Sequence, residues 1–335
     1  MPNIAAKDAD GETRLAMDQA HSGMRVAVAV IQNESGAVLI SRRPRHTHQG
    51  GLWEFPGGKV ETDERVEQAL AREVHEELGL NVHTARPLIR IHYDYPDKKV
   101  LLDVWRVTAY SGSPVGRENQ RIEWVAATAL KERAFPAANY SIITALELPS
   151  CLLITPEPGN SCEFLERLEH AFMQGIRLVL LRARRLRGMQ LLKLATDVCK
   201  LAERYGARVL LNADAGIVQR SGAHGIHLSS IQLREAEQRP LGHRYLVSAS
   251  CHTPTEIDKA NRIGADFALA SPVLPTQSHP AVTPIGWAGF RTLAECARIP
   301  VFALGGMQRD MLKSAWSHGA QGIAAIRGLW PADVV

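Results

Sequence analysis

Along the front half of the chain, apolar positions come in short alternating runs. Arg25–Ile31 is a β-branched run that stops at Asn33-Glu34-Ser35-Gly36, a turn signal, and Ala37–Ser41 resumes it, which predicts a hairpin. A Gly- and Pro-rich loop from Gly50 to Gly58 leads into a predicted helix over Glu64–Leu78, with Gly79 as its C-terminal stop. Strand-like segments follow at Leu88–Tyr95, Val100–Tyr110 and Arg121–Val125, and then a helix over Tyr140–Glu147. This mixed order predicts an α+β fold, a mixed sheet between helices.

From Cys151 the rhythm changes. Short apolar runs at Leu152–Thr155, Leu178–Leu181, Val209–Leu211, Gly225–Leu228, Leu246–Ser250, Phe267–Ala270, Val301–Leu304 and Gly322–Ile326 are separated by helix-length segments. Eight buried-looking strands with intervening helices predict a (β/α)8 TIM barrel. Only nine residues, Arg327 to Val335, follow the last run, so a closing eighth helix is short or absent and that edge needs other cover. The reading is therefore two domains, 23–149 and 150–335, joined near Pro149-Ser150 with almost no linker. The polar stretch Met1–Ser22 reads as a disordered tail, with no apolar core of a secretory signal.

Composition narrows the function classes. A chain of 335 residues exceeds one ordinary core and suits two domains. No apolar run approaches the roughly 18–20 residues of a membrane helix, so no membrane association is expected. The net charge of +4 is mild, and direct nucleic-acid binding is not expected. Arg182–Arg187 holds four arginines in six residues, which suits a solvated loop or a phosphate-facing rim. All five cysteines lie in the second half without metal-type pairing, which fits a reducing cytoplasm. The expected assembly is a monomer or homodimer.

The candidate chemistry lies in Gly58-Lys59-Val60-Glu61-Thr62-Asp63-Glu64, then seven residues, then Arg72-Glu73-Val74-His75-Glu76-Glu77-Leu78-Gly79-Leu80. On a helix, Leu70, Val74 and Leu78 form an apolar stripe, and Glu73, Glu76 and Glu77 fall on a flank about 100° away. Three carboxylates within one turn repel unless a cation sits among them. Hard oxygen ligands suit Mg²⁺, or Mn²⁺, with phosphates completing the shell. Gly57-Gly58 lets the backbone turn close to that metal and offer a carbonyl, and Arg72 can pair with a glutamate and orient it.

These residues fill every specified position of G-x₅-E-x₇-R-E-U-x-E-E-x-G-U, so the front half resembles the Nudix hydrolases. The resemblance implies metal ligands at Gly57, Glu73 and Glu77 with Glu76 close by. It also implies a further glutamate outside the box, as metal ligand or base, for which Glu123 is the candidate. Either Glu73 or Glu123 could take the proton from water. Residues 24–147 further resemble the MutT branch, which hydrolyses 8-oxo-dGTP to the monophosphate and pyrophosphate. The carriers are Met24–Val30, Ile40-Ser41-Arg42-Arg43, Leu52–Lys59, Tyr95-Pro96-Asp97 and Phe135-Pro136-Ala137-Ala138-Asn139. In that branch the last asparagine reads the oxidised guanine edge, which matches Asn139, and Arg42 or Arg43 would face the phosphates. Asn139 equally suits an N-cap of the following helix; the motif favours base recognition.

The back half resembles the thiamine phosphate synthase/TenI family. The carriers are Leu180–Arg182, Leu211-Asn212, Gly222–Leu228, Ser250–Thr253, Gly264–Asp266, Ser271–Thr276 and Ala303–Met307. Gly306, in the turn after strand seven, and Arg327, after strand eight, could cradle a phosphate. Departures stand beside the likeness: Ala213 and Gln232 replace the family's metal-binding aspartates, and His279 replaces a lysine. Thiamine phosphate synthesis is therefore not expected of this domain. His252 matches the histidine base of TenI-type thiazole tautomerases, against the alternative of a rim histidine in a domain that only binds or has decayed. His227 reads as a structural strand histidine. The leading expectation is Mg²⁺-dependent hydrolysis of 8-oxo-dGTP, a small-molecule nucleotide substrate, protecting DNA replication. The alternatives are hydrolysis of a thiamine-related diphosphate and a non-catalytic nucleotide- or thiamine-responsive sensor.

Overall fold

The computed structural model describes residues 23–45, 49–95, 99–277 and 281–331. The Met1–Ser22 tail, Pro96, Asp97 and His279 lie outside the described residues. In chain order the front half forms β1 (Met24–Ile31), β2 (Ala37–Arg42), β3 (Trp53–Glu54), β4 (Gly57–Lys59), α1 (Val66–Leu78), β5 (Asn81–Asp94), β6 (Lys99–Ser111), β7 (Ile122–Ala126) and α2 (Asn139–Glu147). One sheet has the order β4-β1-β6-β5, with β1 parallel to β6; the other, antiparallel, has the order β3-β2-β7. The architecture is the expected mixed α+β one.

The predicted hairpin is a correction. Asn33 does turn the chain, accepting the Gly36 N–H at 2.9 Å, but only a Gln32–Val38 bridge joins the two runs. Both edges of β1 are already occupied, by β4 and β6, so β2 pairs elsewhere and begins the second sheet. Helix α1 buries Val66, Ala69, Leu70, Val74 and Leu78 between the sheets. It ends where Gly79 takes φ +72°, a left-handed cap that glycine adopts without penalty. Helix α2 covers the opposite face through Ile142 and Ile143, against Val38, Ile40, Trp53 and Phe55.

The back half is a closed eight-stranded parallel barrel. Its strands are β8 (Cys151–Ile154), β9 (Leu178–Leu181), β10 (Arg208–Leu211), β11 (Gly225–Leu228), β12 (Leu246–Cys251), β13 (Phe267–Ala270), β14 (Val301–Leu304) and β15 (Gly322–Ala325). No helix follows β15 among the described residues. The open edge is covered instead by buried Leu329 and by Trp330, whose ring lies 5.3 Å from that of Phe164. Inward side chains such as Leu180, Phe267, Leu269 and Phe302 fill the barrel interior. Leu148, from the last turn after α2, joins that same cluster. Strand β5 lies against the barrel's outer helices, with the Arg86 guanidinium 4.1 Å over the Trp316 ring and Arg90 3.7 Å from Glu295. No described helix is long and apolar enough to cross a membrane.

Candidate active site

The box residues converge where α1 meets β4. At Gly57, φ is +144° and a Cβ would stand 2.1 Å from the Ala27 carbonyl oxygen, so only glycine lets β4 lie against β1 there. At Gly58 a Cβ would fall 2.2 Å from the Glu73 carboxyl carbon. The two glycines therefore bring backbone directly against the carboxylates of α1. The Gly57 N–H donates to Glu77 Oε2 at 3.1 Å. Burial pushes the Glu77 carboxyl up to about 8; the Gly57 N–H works against this, while the charges of Glu54, Glu118 and Glu73 add to it.

Arg72 organises the rest. It donates to both Glu64 oxygens at 2.9 Å, to Glu73 Oε1 at 2.7 Å and to Glu76 Oε2 at 3.2 Å. Its remaining bond is to the Lys59 carbonyl at 3.0 Å, so the helix, the β4 strand and the following loop share one guanidinium. The Glu64 carboxyl is held below its ordinary value chiefly by that bond. Glu76 is 56% exposed and is bonded only to Arg72, at the rim of the cluster.

Glu123 is a second correction. Its neighbours Ile122 and Trp124 pack with α1, so alternation turns Glu123 to the other face of β7, toward the side of Val125 and Ile40. There it is bonded by Arg121 and Arg133. The carboxylates that act on Glu77 from outside the box are Glu54 and Glu118, which the sequence reasoning missed. For Glu54 a signal existed: Trp53 and Phe55 face the α2 side, so the residue between them must face α1. Glu118 carried none. It sits in a loop brought to the end of α1 by tertiary bonds, Val115 N–H to Leu78 O at 3.0 Å and Arg117 N–H to Glu77 O at 2.9 Å.

Among the described residues, no three His, Cys, Asp or Glu side chains already converge to grip an ion. Arg72 engages Glu73, and the Gly57 N–H engages Glu77. The donor set nonetheless fits a hard divalent cation. Glu73 and Glu77 both abut the Gly57-Gly58 turn, and burial first, with repulsion from Glu54, Glu118 and Glu73 adding to it, raises Glu77, a penalty that a cation would relieve.

Of the substrate-binding candidates, Arg43 is paired with Glu54. Arg42 donates to the Gly51 carbonyl at 3.1 Å and lies 6.0 Å from the Trp53 ring centre. Asn139 is not a cap. It is the first residue of α2, Ala138 holds the N-cap position, and no side chain caps the helix. Asn139 is 8% exposed, and its side-chain amide makes no hydrogen bond among the described residues. Its amide atoms are not among the fully enclosed polar atoms without a partner, so they reach solvent and are open to a ligand's donor and acceptor. Its segment is tied to the site sheet by the Trp53 N–H to Ala134 O bond at 2.9 Å and by the stacked Phe55 and Phe135 rings, 5.5 Å apart.

The barrel opens at the C-terminal ends of its strands into a cavity of about 800 Å³, lined among others by Arg182, Arg184, Asn212, His252, Gly306 and Arg327. None of the described residues lining it is acidic. Gln232, standing for the family's second aspartate, accepts from Asn212 Nδ2 at 3.0 Å and from the Ser229 N–H at 2.9 Å. This neutral set does not fit a divalent metal. His252 Nδ1 lies 2.6 Å from the Ser271 carbonyl, a contact that makes Nδ1 the donor and turns Nε2 away from that bond. Its own N–H donates to Glu256 at 2.7 Å. His227 is buried between Ser248 and Ser250, each 2.9 Å away, and burial lowers it to about 4. It is a neutral strand histidine.

The comparisons divide at the same junction. The NUDIX domain model matches residues 27–145, and the thiamine monophosphate synthase model matches residues 151–329. The 8-oxo-dGTP diphosphatase of Escherichia coli (strain K12) is 36% identical over 124 residues, 37% of this chain and 96% of the relative. The thiamine-phosphate synthase of Thermus thermophilus is 32% identical over 180 residues, 53% of this chain and 87% of the relative. A solved MutT structure, from work on the Aliivibrio salmonicida and Vibrio cholerae proteins, is 37% identical and covers 37% of this chain and 95% of its own, with a TM-score of 0.33. With a complete box in front and the barrel's strand-end motifs behind, the chain belongs to the Nudix family through its first half and to the thiamine monophosphate synthase family through its second.

Proposed function

We propose that the front half is a Mg²⁺-dependent pyrophosphohydrolase of oxidised purine nucleoside triphosphates, releasing monophosphate and pyrophosphate, with 8-oxo-dGTP as the preferred substrate. The observation that carries this reading is the Glu73–Glu77 cluster closed on Gly57-Gly58, with Glu77 held high by burial and repulsion. When bound there, the cation would activate water and clamp the leaving phosphate. The chain's own residues do the rest. Arg72 fixes the rotamers of Glu64 and Glu73, and the Gly57 N–H holds Glu77. Asn139 offers an uncommitted amide to a purine edge, and the likeness of its Phe135–Asn139 segment to the MutT branch supports 8-oxoguanine as that base. A hydrolysis panel of 8-oxo-dGTP, dGTP, ADP-ribose, NADH and thiamine diphosphate, following pyrophosphate release, tests it. Faster turnover of thiamine diphosphate than of 8-oxo-dGTP would replace this substrate with the thiamine-related one, and no turnover at all would leave a sensor.

For the barrel we propose metal-free binding of a phosphate ester rather than thiamine phosphate synthesis, since arginines line its cavity and carboxylates do not. One observation favours a second reading, proton transfer on a thiazole ring: the bond from His252 Nδ1 to the Ser271 carbonyl orients the ring at the cavity and keeps Nε2 out of that bond. Incubating a thiazole phosphate carboxylate with wild type and His252→Ala separates the two. A difference between them supports catalysis, and none supports binding alone.

A further inference from the structure

Helix α2 spans both halves of the molecule. It begins at Asn139, beside the nucleotide site, and it ends in the barrel. Gln321, the residue before β15 and only 2% exposed, donates from Nε2 to the Ala145 and Leu148 carbonyls, both at 2.9 Å. Arg208, the first residue of β10, donates to the Glu147 carbonyl at 2.5 Å. The last carbonyls of a helix have no partner within it, and here barrel side chains supply them. The next residue, Leu148, is part of the apolar cluster inside the barrel. The Ser150 carbonyl then accepts the Ile323 N–H at 2.9 Å, and a Cβ on Gly322 would stand 1.9 Å from that oxygen. The junction is a closely fitted joint rather than a linker.

The identity of residue 321 is informative. Among the described residues its Oε1 is buried with no partner, so the amide carries the cost of an unsatisfied acceptor. Leucine would fill similar space without that cost, but it could not donate to α2. A nine-residue helix is too short to hold itself: Ile142 and Ile143 seat its apolar face on the front-half core, and the bonds at its ends fix its position along its axis. At the N-terminal end the grip is local, the Asn139 N–H to Pro136 O bond at 2.9 Å. At the other end Lys131 of the front half pairs with the Glu147 side chain at 2.7 Å, while the backbone carbonyls are taken by the barrel. The NUDIX match stops at residue 145, where these bonds begin, and the E. coli relative is covered almost whole without a barrel.

We propose that Gln321 is a positioning residue for nucleotide recognition: through its two bonds to the end of α2, the barrel sets the placement of Asn139. This rests on the reading of Asn139 as the base reader. The test compares KM and kcat for 8-oxo-dGTP and dGTP in the full chain. Asn139→Ala is expected to reduce the preference for the oxidised base by about tenfold. Gln321→Leu is expected to reduce it roughly threefold to tenfold through KM, with kcat nearly unchanged. The double variant should be no worse than Asn139→Ala, since the two act as one unit. Glu295→Gln, which touches the domain contact at Arg90 but not α2, should keep the wild-type preference.

An unchanged preference in Gln321→Leu, an additive double variant, or an equal loss in Glu295→Gln would overturn the proposal while leaving the role of Asn139 intact. An unchanged preference in Asn139→Ala would overturn the base-reader assignment and this inference with it. If Gln321→Leu does not fold, Arg208→Met removes the other barrel bond to α2. It should lower the preference in the same direction by about twofold; an unchanged preference there would equally overturn the proposal.

Discussion

The two halves line their candidate sites with opposite charge. The front site gathers Glu54, Glu73, Glu77 and Glu118, and Glu77 is raised chiefly by burial, with the charges of the other three adding to it. The barrel cavity is lined by Arg182, Arg184 and Arg327 with no acidic residue among those described. A phosphate can approach the first only with a cation between, and the second directly. On the reading proposed above, a barrel of this family with Ala213 and Gln232 in place of two aspartates would hold a phosphate ester through its arginines, without a metal.

The largest effect should come from breaking the acidic side. Glu77→Gln is expected to lower kcat/KM on the order of a thousandfold in saturating Mg²⁺. Because a neutral amide removes the repulsion, the metal-free variant should melt no lower than wild type. Near-normal turnover would remove Glu77 from the metal site. Next comes the face of β7. Glu118→Gln should cost about a hundredfold, whereas Glu123→Gln, on the far face between Arg121 and Arg133, should stay within about threefold in turnover. The reverse order would mean that Glu123 reaches the metal in the working enzyme.

A chelator sharpens the comparison from the cationic side. EDTA should abolish nucleotide hydrolysis yet leave calorimetric binding of thiamine phosphate unchanged, and Arg182→Met should weaken that binding about tenfold. A requirement for Mg²⁺ in the barrel would sink the contrast, and no binding of thiamine phosphate would remove that ligand. The smallest effect is in the barrel wall. His227 is lowered to about 4 when folded, against 6.5 when unfolded, so the unfolded state holds more protons between those values. Barrel stability should therefore rise as pH climbs from about 4 to 6.5 and be flat above, a span on the order of 3 kcal/mol. Denaturant melts should show this slope in wild type and a shallower one in His227→Gln; equal slopes would place the acid sensitivity elsewhere.

Local pattern determined much of this protein. The spacing from Gly58 to Leu80 specified a helix with an apolar stripe and an acidic flank, because helical period fixes which residues share a face. The eight apolar runs specified the barrel, because each strand is short and buried on both faces. Where the answer depended on segments meeting from far along the chain, only the tertiary structure decided. Glu123 looked suited to the metal until strand alternation turned it away, while Glu118 is brought in by a loop that caps the end of α1. Asn139 suited a cap as well as a base reader until the start of α2 gave the N-cap position to Ala138. Gln321, 182 positions beyond Asn139 by numbering, had no signal at all. Its partners are backbone carbonyls, which every residue has and no sequence pattern marks.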